Sequence, residues 1–237
     1  MLLTTLYLVY FLGLTFALPS IQPDTRDSTT LVKIINKCKK PIQLYQLGNQ
    51  QSQSSVVTVN VGGTQSYRFD GPWSGRFWAR HEECWKSSMC QNASTAIPAS
   101  LVEFTFLSAD GNDFYDISFV DGYNLPVSIE PEKSSKADNS KGDYWCQKPV
   151  CRNVPTCPPE LQVWVGGVYS ACQSACSKFR NQEYCCAGLF DTPEKCGINK
   201  HAQSVKDECP DAYSFAYDDE KSLYQCRAPV YTVTWCP

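Results

Sequence analysis

The amino-acid sequence predicts a mainly β protein: a β-rich core whose two chain ends meet, carrying a disulfide-stapled, partly helical insertion. Three observations lead there. Short runs of β-branched and aromatic residues recur from about residue 31 to residue 131 and return at 231–235. Nine of the 14 cysteines crowd between Cys146 and Cys209, in a stretch rich in Pro, Gly and Ser. Helical spacing of apolar residues occurs in that same stretch.

In chain order, the first segment is apolar and uncharged, from Leu2, Leu3 and Leu6 through Leu8, Phe11 and Leu14 to Phe16, and charge begins only at Asp24. It falls short of the roughly 20 residues that span a bilayer. Thr15 and Ala17 offer a small-residue cleavage site, so residues 1–17 read as a secretory signal, with a retained anchor as the alternative. Residues 18–30 are polar and form a flexible lead-in, and the folded domain is expected over 31–237. Val57, Val59 and Val61 alternate with Thr58 and Asn60 as a strand, and Gly62-Gly63 turns the chain into residues 67–69. Further strands are expected over 76–80, 101–106, 115–120 and 231–235. Composition then changes, and a disulfide-rich lobe is expected over about 146–209. Within it Val168, Cys172, Ala175, Cys176 and Phe179 keep helical spacing behind Gly166-Gly167, and Ala202, Val205 and Cys209 repeat it ahead of Pro210.

Composition excludes several function classes. With 21 Lys+Arg against 24 Asp+Glu and no basic run interleaved with aromatics, nucleic acid is not an expected partner. A chain that is 43% hydrophobic and 13% aromatic can bury a core, which excludes disorder. An even cysteine count on an exported chain means a disulfide framework, although counting alone leaves on the order of a hundred thousand pairings. His81 and His201 are the only histidines and no C-x2-C pair occurs, so no metal is expected. No G-x-G-x-x-G, P-loop or G-x-S-x-G is present, so no cofactor is expected and a serine triad has no elbow. His81 beside Glu82 and Glu83 reads as a surface residue. Asn92-Ala93-Ser94 is an N-glycosylation sequon.

The chemistry-bearing residues are carboxylates. Strand alternation puts Val102, Phe104 and Phe106 on one face and Glu103 on the other with Leu101 and Thr105. Asp116 and Asp121 are five residues apart, so a continuous strand would send them to opposite faces; they share a site only if the strand breaks before Asp121, and Asp121-Gly122 supplies that break. Two readings stay open at this point: solvated acids on a β surface, or acids gathered so that like charge raises some pKa values and prepares an acid and a base.

Residues 113–126, DFYDISFVDGYNLP, are similar to a characteristic stretch of the thaumatin-like proteins, and GRFWAR at 75–80, Glu103-Phe104, EYCC at 183–186, CPDAYS at 209–214 and the terminal WCP support the likeness. The resemblance covers about 31–237. It implies a β-sandwich core, a disulfide-rich, partly helical lobe and an acidic cleft between them. It implies the pairs Cys38–Cys236, Cys84–Cys90, Cys146–Cys226, Cys151–Cys209, Cys157–Cys172, Cys176–Cys185 and Cys186–Cys196. It carries the family's cleft set onto Arg76, Glu103, Asp116, Asp121 and Asp211. Family members bind β-1,3-glucan, several inhibit fungal growth and some are weak endo-β-1,3-glucanases. On that footing Glu103 is the expected general acid and Asp121 the nucleophile or base, with Arg76, Asp116 and Asp211 shaping the field and Tyr115, Tyr123 and Phe114 as candidates to stack on sugar rings. The expected protein is a secreted monomer of the apoplast or cell wall, without stable membrane insertion. A protein-interaction module working through the lobe is the alternative. One departure is evident: residues 91–100 contain neither the cysteine nor the glycines that the family carries there.

Overall fold

The computed structural model describes residues 29–81, 97–108, 111–132 and 142–237. Its strands, in chain order, are β1 (Thr29–Asn36), β2 (Ile42–Gly48), β3 (Ser55–Val59), β4 (Thr64–Asp70), β5 (Trp73–His81), β6 (Leu101–Phe106), β7 (Asp113–Ser118), β8 (Gly122–Tyr123), β9 (Val127–Glu132), β10 (Val150–Cys151), β11 (Gln162–Val165), β12 (Val168–Gln173), β13 (Ala212–Tyr213), β14 (Tyr224–Cys226) and β15 (Val230–Trp235). The helices are short: α1 (Ala175–Phe179), α2 (Gln182–Cys185), α3 (Lys200–Glu208) and α4 (Asp219–Ser222). No described helix is long and apolar enough to cross a membrane.

Two sheets make the core. One runs β10-β9-β15-β1-β4 and the other β13-β7-β6-β5-β2-β3, with β14 also paired to β7. Alternation explains which residues they bury: Val32 and Ile34 of β1 and Tyr231, Val233 and Trp235 of β15 meet Phe77, Val102, Phe104, Phe106, Tyr115 and Ile117 of the other sheet in one apolar cluster. Tyr231 is the hub. Its ring lies 5.4 Å from Phe104, 5.7 Å from Phe106 and 5.3 Å from Tyr115. Its hydroxyl donates to the Asp113 carboxylate at 2.7 Å, and the other Asp113 oxygen accepts from the Leu107 N–H at 3.0 Å. A fully buried acid is thereby hydrogen-bonded on both oxygens, which offsets the cost of taking it out of water.

The chain ends meet as expected. β1 and β15 pair in parallel, from Leu31 opposite Val230 to Asn36 opposite Trp235. Parallel neighbours need a crossover connection, and here almost the entire domain is that crossover. Buried Asn36 closes the end of β1, donating to the Lys40 and Val59 carbonyls and accepting from the Cys38 N–H. Cys38 then bonds Cys236 just beyond β15.

The lobe carries a third sheet, β11-β12-β8, and here the structure corrects two expectations. Residues 168–173 are β12 and not the front of a helix, because Gly166 and Gly167 adopt φ of +58° and +80° and fold β11 and β12 into a tight hairpin. The helix starts only at Ala175, behind Ser174, whose side chain accepts from the Ser177 N–H. The strand expected over 57–61 ends at Val59, where the Gly63 N–H donates back to the Asn60 carbonyl and leaves Val61 exposed in the turn. α3 forms as expected, capped by Asn199, which accepts from His201 and Ala202.

Among the described residues six disulfides form, with the pairings that the resemblance implied: Cys38–Cys236, Cys146–Cys226, Cys151–Cys209, Cys157–Cys172, Cys176–Cys185 and Cys186–Cys196. Cys84–Cys90, the Asn92 sequon and the signal lie outside the described residues. Cys38–Cys236 spans 198 residues of sequence, and long closed loops restrict the unfolded chain most. The variant Cys38→Ser/Cys236→Ser is expected to lose about 3–5 kcal/mol in urea unfolding, a larger loss than removal of the ten-residue Cys186–Cys196 link causes.

Candidate functional site

The register of β5, β6 and β7 builds the site. Arg76 stands opposite Glu103, and Glu103 opposite Asp116. Directly opposed residues share a face, with Cβ atoms about 4.5–5.5 Å apart, so these three form a row across the sheet. One step along, Leu101 stands opposite Ser118 on the same face. On the other face, Phe77, Val102, Phe104 and Ile117 are buried in the core.

Asp121 reaches this face because β7 stops at Ser118. The Gly122 N–H donates to the Phe119 carbonyl at 2.9 Å, closing a turn. Gly122 has φ of +126°, and a Cβ there would lie 2.2 Å from the Cys172 carbonyl oxygen, so only glycine fits. The Asp121 carbonyl is held from the lobe, accepting from the Ser174 N–H at 3.3 Å and the Ser177 hydroxyl at 3.0 Å. Arg76, Glu103, Asp116 and Asp121 consequently line one open cavity of about 360 Å³, with Leu101, Ser118, Val120, Tyr213 and Ala216 completing its wall.

The electrostatics follow from burial. The Glu103 carboxyl is raised above its usual range, first by desolvation and then by the nearby Asp121 charge, against the opposing pull of Arg76 and a hydrogen bond from Ser118. Asp116 is raised well above the usual range by desolvation, then by Glu103 and Asp219. Its Oδ1 is buried with no hydrogen-bond partner among the described residues, an arrangement that disfavours the ionised form. The two acids stand opposite one another on neighbouring strands, so the Glu103 charge disfavours ionisation of Asp116.

The other expected residues lie elsewhere. The Asp211 carboxylate accepts from the Val150 N–H at 3.0 Å and pairs with the Tyr224 hydroxyl, outside the cavity lining. Tyr115 is fully buried, its hydroxyl donating to the Gln147 carbonyl at 2.6 Å. Tyr123 is buried at the lobe, donating to the Thr156 carbonyl at 3.4 Å, and lines a narrower apolar cavity with Phe119, Leu161 and Tyr184. Neither ring offers a face to a sugar in the acidic cavity. Phe114 is half-buried on the same sheet face as Asp116. His81 closes β5 opposite Ile42, away from the cavity.

Tyr213 is one of the wall residues that the sequence reading missed. It follows Asp211 by two positions and pairs with Ser118, and its hydroxyl donates to Asp219 at 3.0 Å. A buried ion pair fixes this segment: the Lys206 ammonium meets Asp218 at 2.9 Å and donates to the Ala212 carbonyl and the Ser222 hydroxyl. Desolvation lowers the Lys206 pKa despite that carboxylate. Among the described residues no cluster of His, Cys, Asp and Glu is arranged to hold a metal ion.

A β-sandwich closed by the pairing of its own ends, with a disulfide-rich lobe beside an acidic cavity, defines the class of protein. Residues 36–237 match the thaumatin family, and the chain belongs to it. It is 44% identical over 218 residues to thaumatin-like protein 1 of Castanea sativa, covering 84% of this chain and 82% of that one. It is 37% identical over 210 residues to a Prunus avium protein named glucan endo-1,3-beta-glucosidase, covering 80% and 82%. Among solved structures, a laminaripentaose-producing β-1,3-glucanase in complex with laminaritetraose shares the fold, with a TM-score of 0.58 at 11% identity over 87% of this chain and 98% of that one.

Two outcomes are expected. Carboxyl NMR titration is to place Glu103 and Asp116 above the usual carboxylate range, with Glu103 rising further in Arg76→Gln and falling in Asp121→Asn. Because both acids bind protons more tightly folded than unfolded, the folded state holds the extra protons between the ordinary and the raised pKa values, and stability falls as pH rises through that window. Asp116→Asn is expected to remove much of this slope and to stabilise the protein at pH 7 by about 1 kcal/mol or more, read from thermal unfolding against pH.

Proposed function

We propose that this is a secreted protein of the apoplast or cell wall that binds β-1,3-glucan in the acidic cavity and cleaves it slowly at internal linkages, in defence against fungi. The observation that carries the reading is the convergence of one guanidinium and three carboxyls on a single open cavity, with two of the acids raised in pKa by burial. The name of the Prunus avium relative supports it.

Glu103, raised in pKa, gives its proton to the glycosidic oxygen as the bond from C1 breaks and its electron pair passes to that oxygen. Asp121 meets the positive charge developing at C1, either as nucleophile or by taking a proton from the attacking water. Arg76 balances the charge that Glu103 acquires, and Asp116 tunes Glu103 from the opposite strand. Sugar hydroxyls bond to the remaining oxygens.

A second reading has its own observation. The lobe exposes the apolar side chains Trp164, Val168, Tyr169, Phe179 and Leu189, and Trp164 and Tyr169 lie in ring contact; an interaction module would engage a protein partner through side chains of this kind.

The test is to mix purified oxidised protein with insoluble linear β-1,3-glucan and to measure pelleted protein and released reducing sugar. Glu103→Gln is expected to cut release by at least about 100-fold while pelleting persists. Release that survives in Glu103→Gln/Asp121→Asn overturns the catalytic assignment. Failure of the wild type to pellet overturns the glucan reading and turns attention to the lobe.

A further inference from the structure

We propose that the acidic cavity continues into a neutral subsite at the Ser74–Thr105 end of the same sheet face, one that holds uncharged units of the same glucan chain; the proposal rests on the glucan reading above. The register carries it first. Ser74 stands opposite Thr105, two residues along both strands from Arg76 and Glu103. Alternate residues share a face, so this pair projects on the acidic face, roughly 7 Å farther along the strands. Half-buried Phe114, opposite Thr105 on β7, extends the row.

Shape and chemistry agree with the register. A second cavity, about 450 Å³ in volume, opens at this position, and Asn49, Gln50, Gln51, Ser74, Thr105 and Ser108 supply its polar wall, with Trp73 and Phe106 on the apolar side. Its described lining holds no charged residue. Amides and hydroxyls can exchange water for sugar hydroxyls without the desolvation cost that a charge incurs. Part of the wall is already fixed: the Ser74 hydroxyl donates to Thr105 at 3.1 Å, and the Gln51 side-chain oxygen accepts from the Gly48 N–H at 3.0 Å. The Gln50 side chain is exposed.

The division of labour is physically sensible for a polymer substrate. Charge is needed only where the linkage reacts, and contacts to remote units supply binding energy that positions it. A groove with acids at one end and neutral amides at the other therefore fits a chain longer than the acidic cavity alone can hold.

The experiment is calorimetric titration with linear β-1,3-gluco-oligosaccharides of increasing length, from two units to seven, on the wild type, Gln50→Ala and Gln50→Ala/Ser74→Ala, with thermal unfolding as the check of fold. Wild-type affinity is expected to keep rising beyond the length that fills the acidic cavity. The double variant is expected to lose about three- to tenfold for the longest ligands and nothing for the shortest, with Gln50→Ala alone showing part of that loss. The Trp73 indole N–H resonance is expected to move only with the longer ligands. An equal loss at every length, no loss at any length, or an unmoved Trp73 signal overturns the subsite and leaves the glucan reading standing. A wild type that binds no length overturns the glucan reading and the subsite with it.

Discussion

The whole site depends on the parity of one strand. Phe104 and Phe106 of β6 lie in ring contact with Tyr231 of the facing sheet, and Val102 is buried beside them. Side chains alternate along a strand, so anchoring these three forces Leu101, Glu103 and Thr105 onto the opposite face. A slip of one residue would expose three apolar side chains and bury a carboxyl in their place, and the cost of both excludes it. Arg76 and Asp116 inherit their places from the pairing of β5 and β7 to that strand. The apolar core thus sets the geometry of the acidic row without touching it.

Concentrating acids on that face has a thermodynamic consequence. Burial raises the pKa of Glu103 and Asp116, so ionising them costs more in the folded protein than in water, and the fold tolerates this because its remaining structure is heavily constrained. The parallel pairing of β1 with β15, clamped by Cys38–Cys236, ties the first and last strands together. In the lobe, Lys206 and Asp218 form a buried pair that anchors the segment bearing Tyr213. Removing one partner of such a pair would leave an uncompensated charge. The paired and disulfide-clamped chain ends offset part of the cost of gathering like charges at the site.

The lobe also acts on the site directly. Asp121 is carried by a turn whose carbonyl is bonded from Ser174 and Ser177, at the start of α1, and the close approach of Cys172 to Gly122 brings the Cys157–Cys172 disulfide next to the same turn. One catalytic candidate therefore sits on the sheet and the other on the seam between sheet and lobe. That seam decides how far apart the two carboxyls stand, the distance that would set the stereochemical course of the proposed cleavage.

Much of this was legible in the sequence. Alternation around Glu103 gave its face, and Asp121-Gly122 gave the break that returns Asp121 to that face, because period and turn chemistry are local properties. The family likeness supplied the disulfide pairings, which no spacing could. Local pattern misled where a hairpin competed with a helix: Val168 to Cys172 keep helical spacing, yet Gly166-Gly167 and pairing to β8 made them a strand. Asp211, Tyr115 and Tyr123 were assigned to the cleft by motif, and the structure draws the first into a hydrogen bond with Val150 and buries the other two. Tyr213 enters the cavity wall only because β13 pairs in parallel with β7, a contact across about a hundred residues. The sequence by itself determined the strands, the faces of their side chains and the chemistry available, since these follow from neighbours along the chain. Which acids share a cavity, and which of them have a raised pKa, was decided only by the tertiary structure, because burial and through-space charge depend on residues that the chain brings together from far apart.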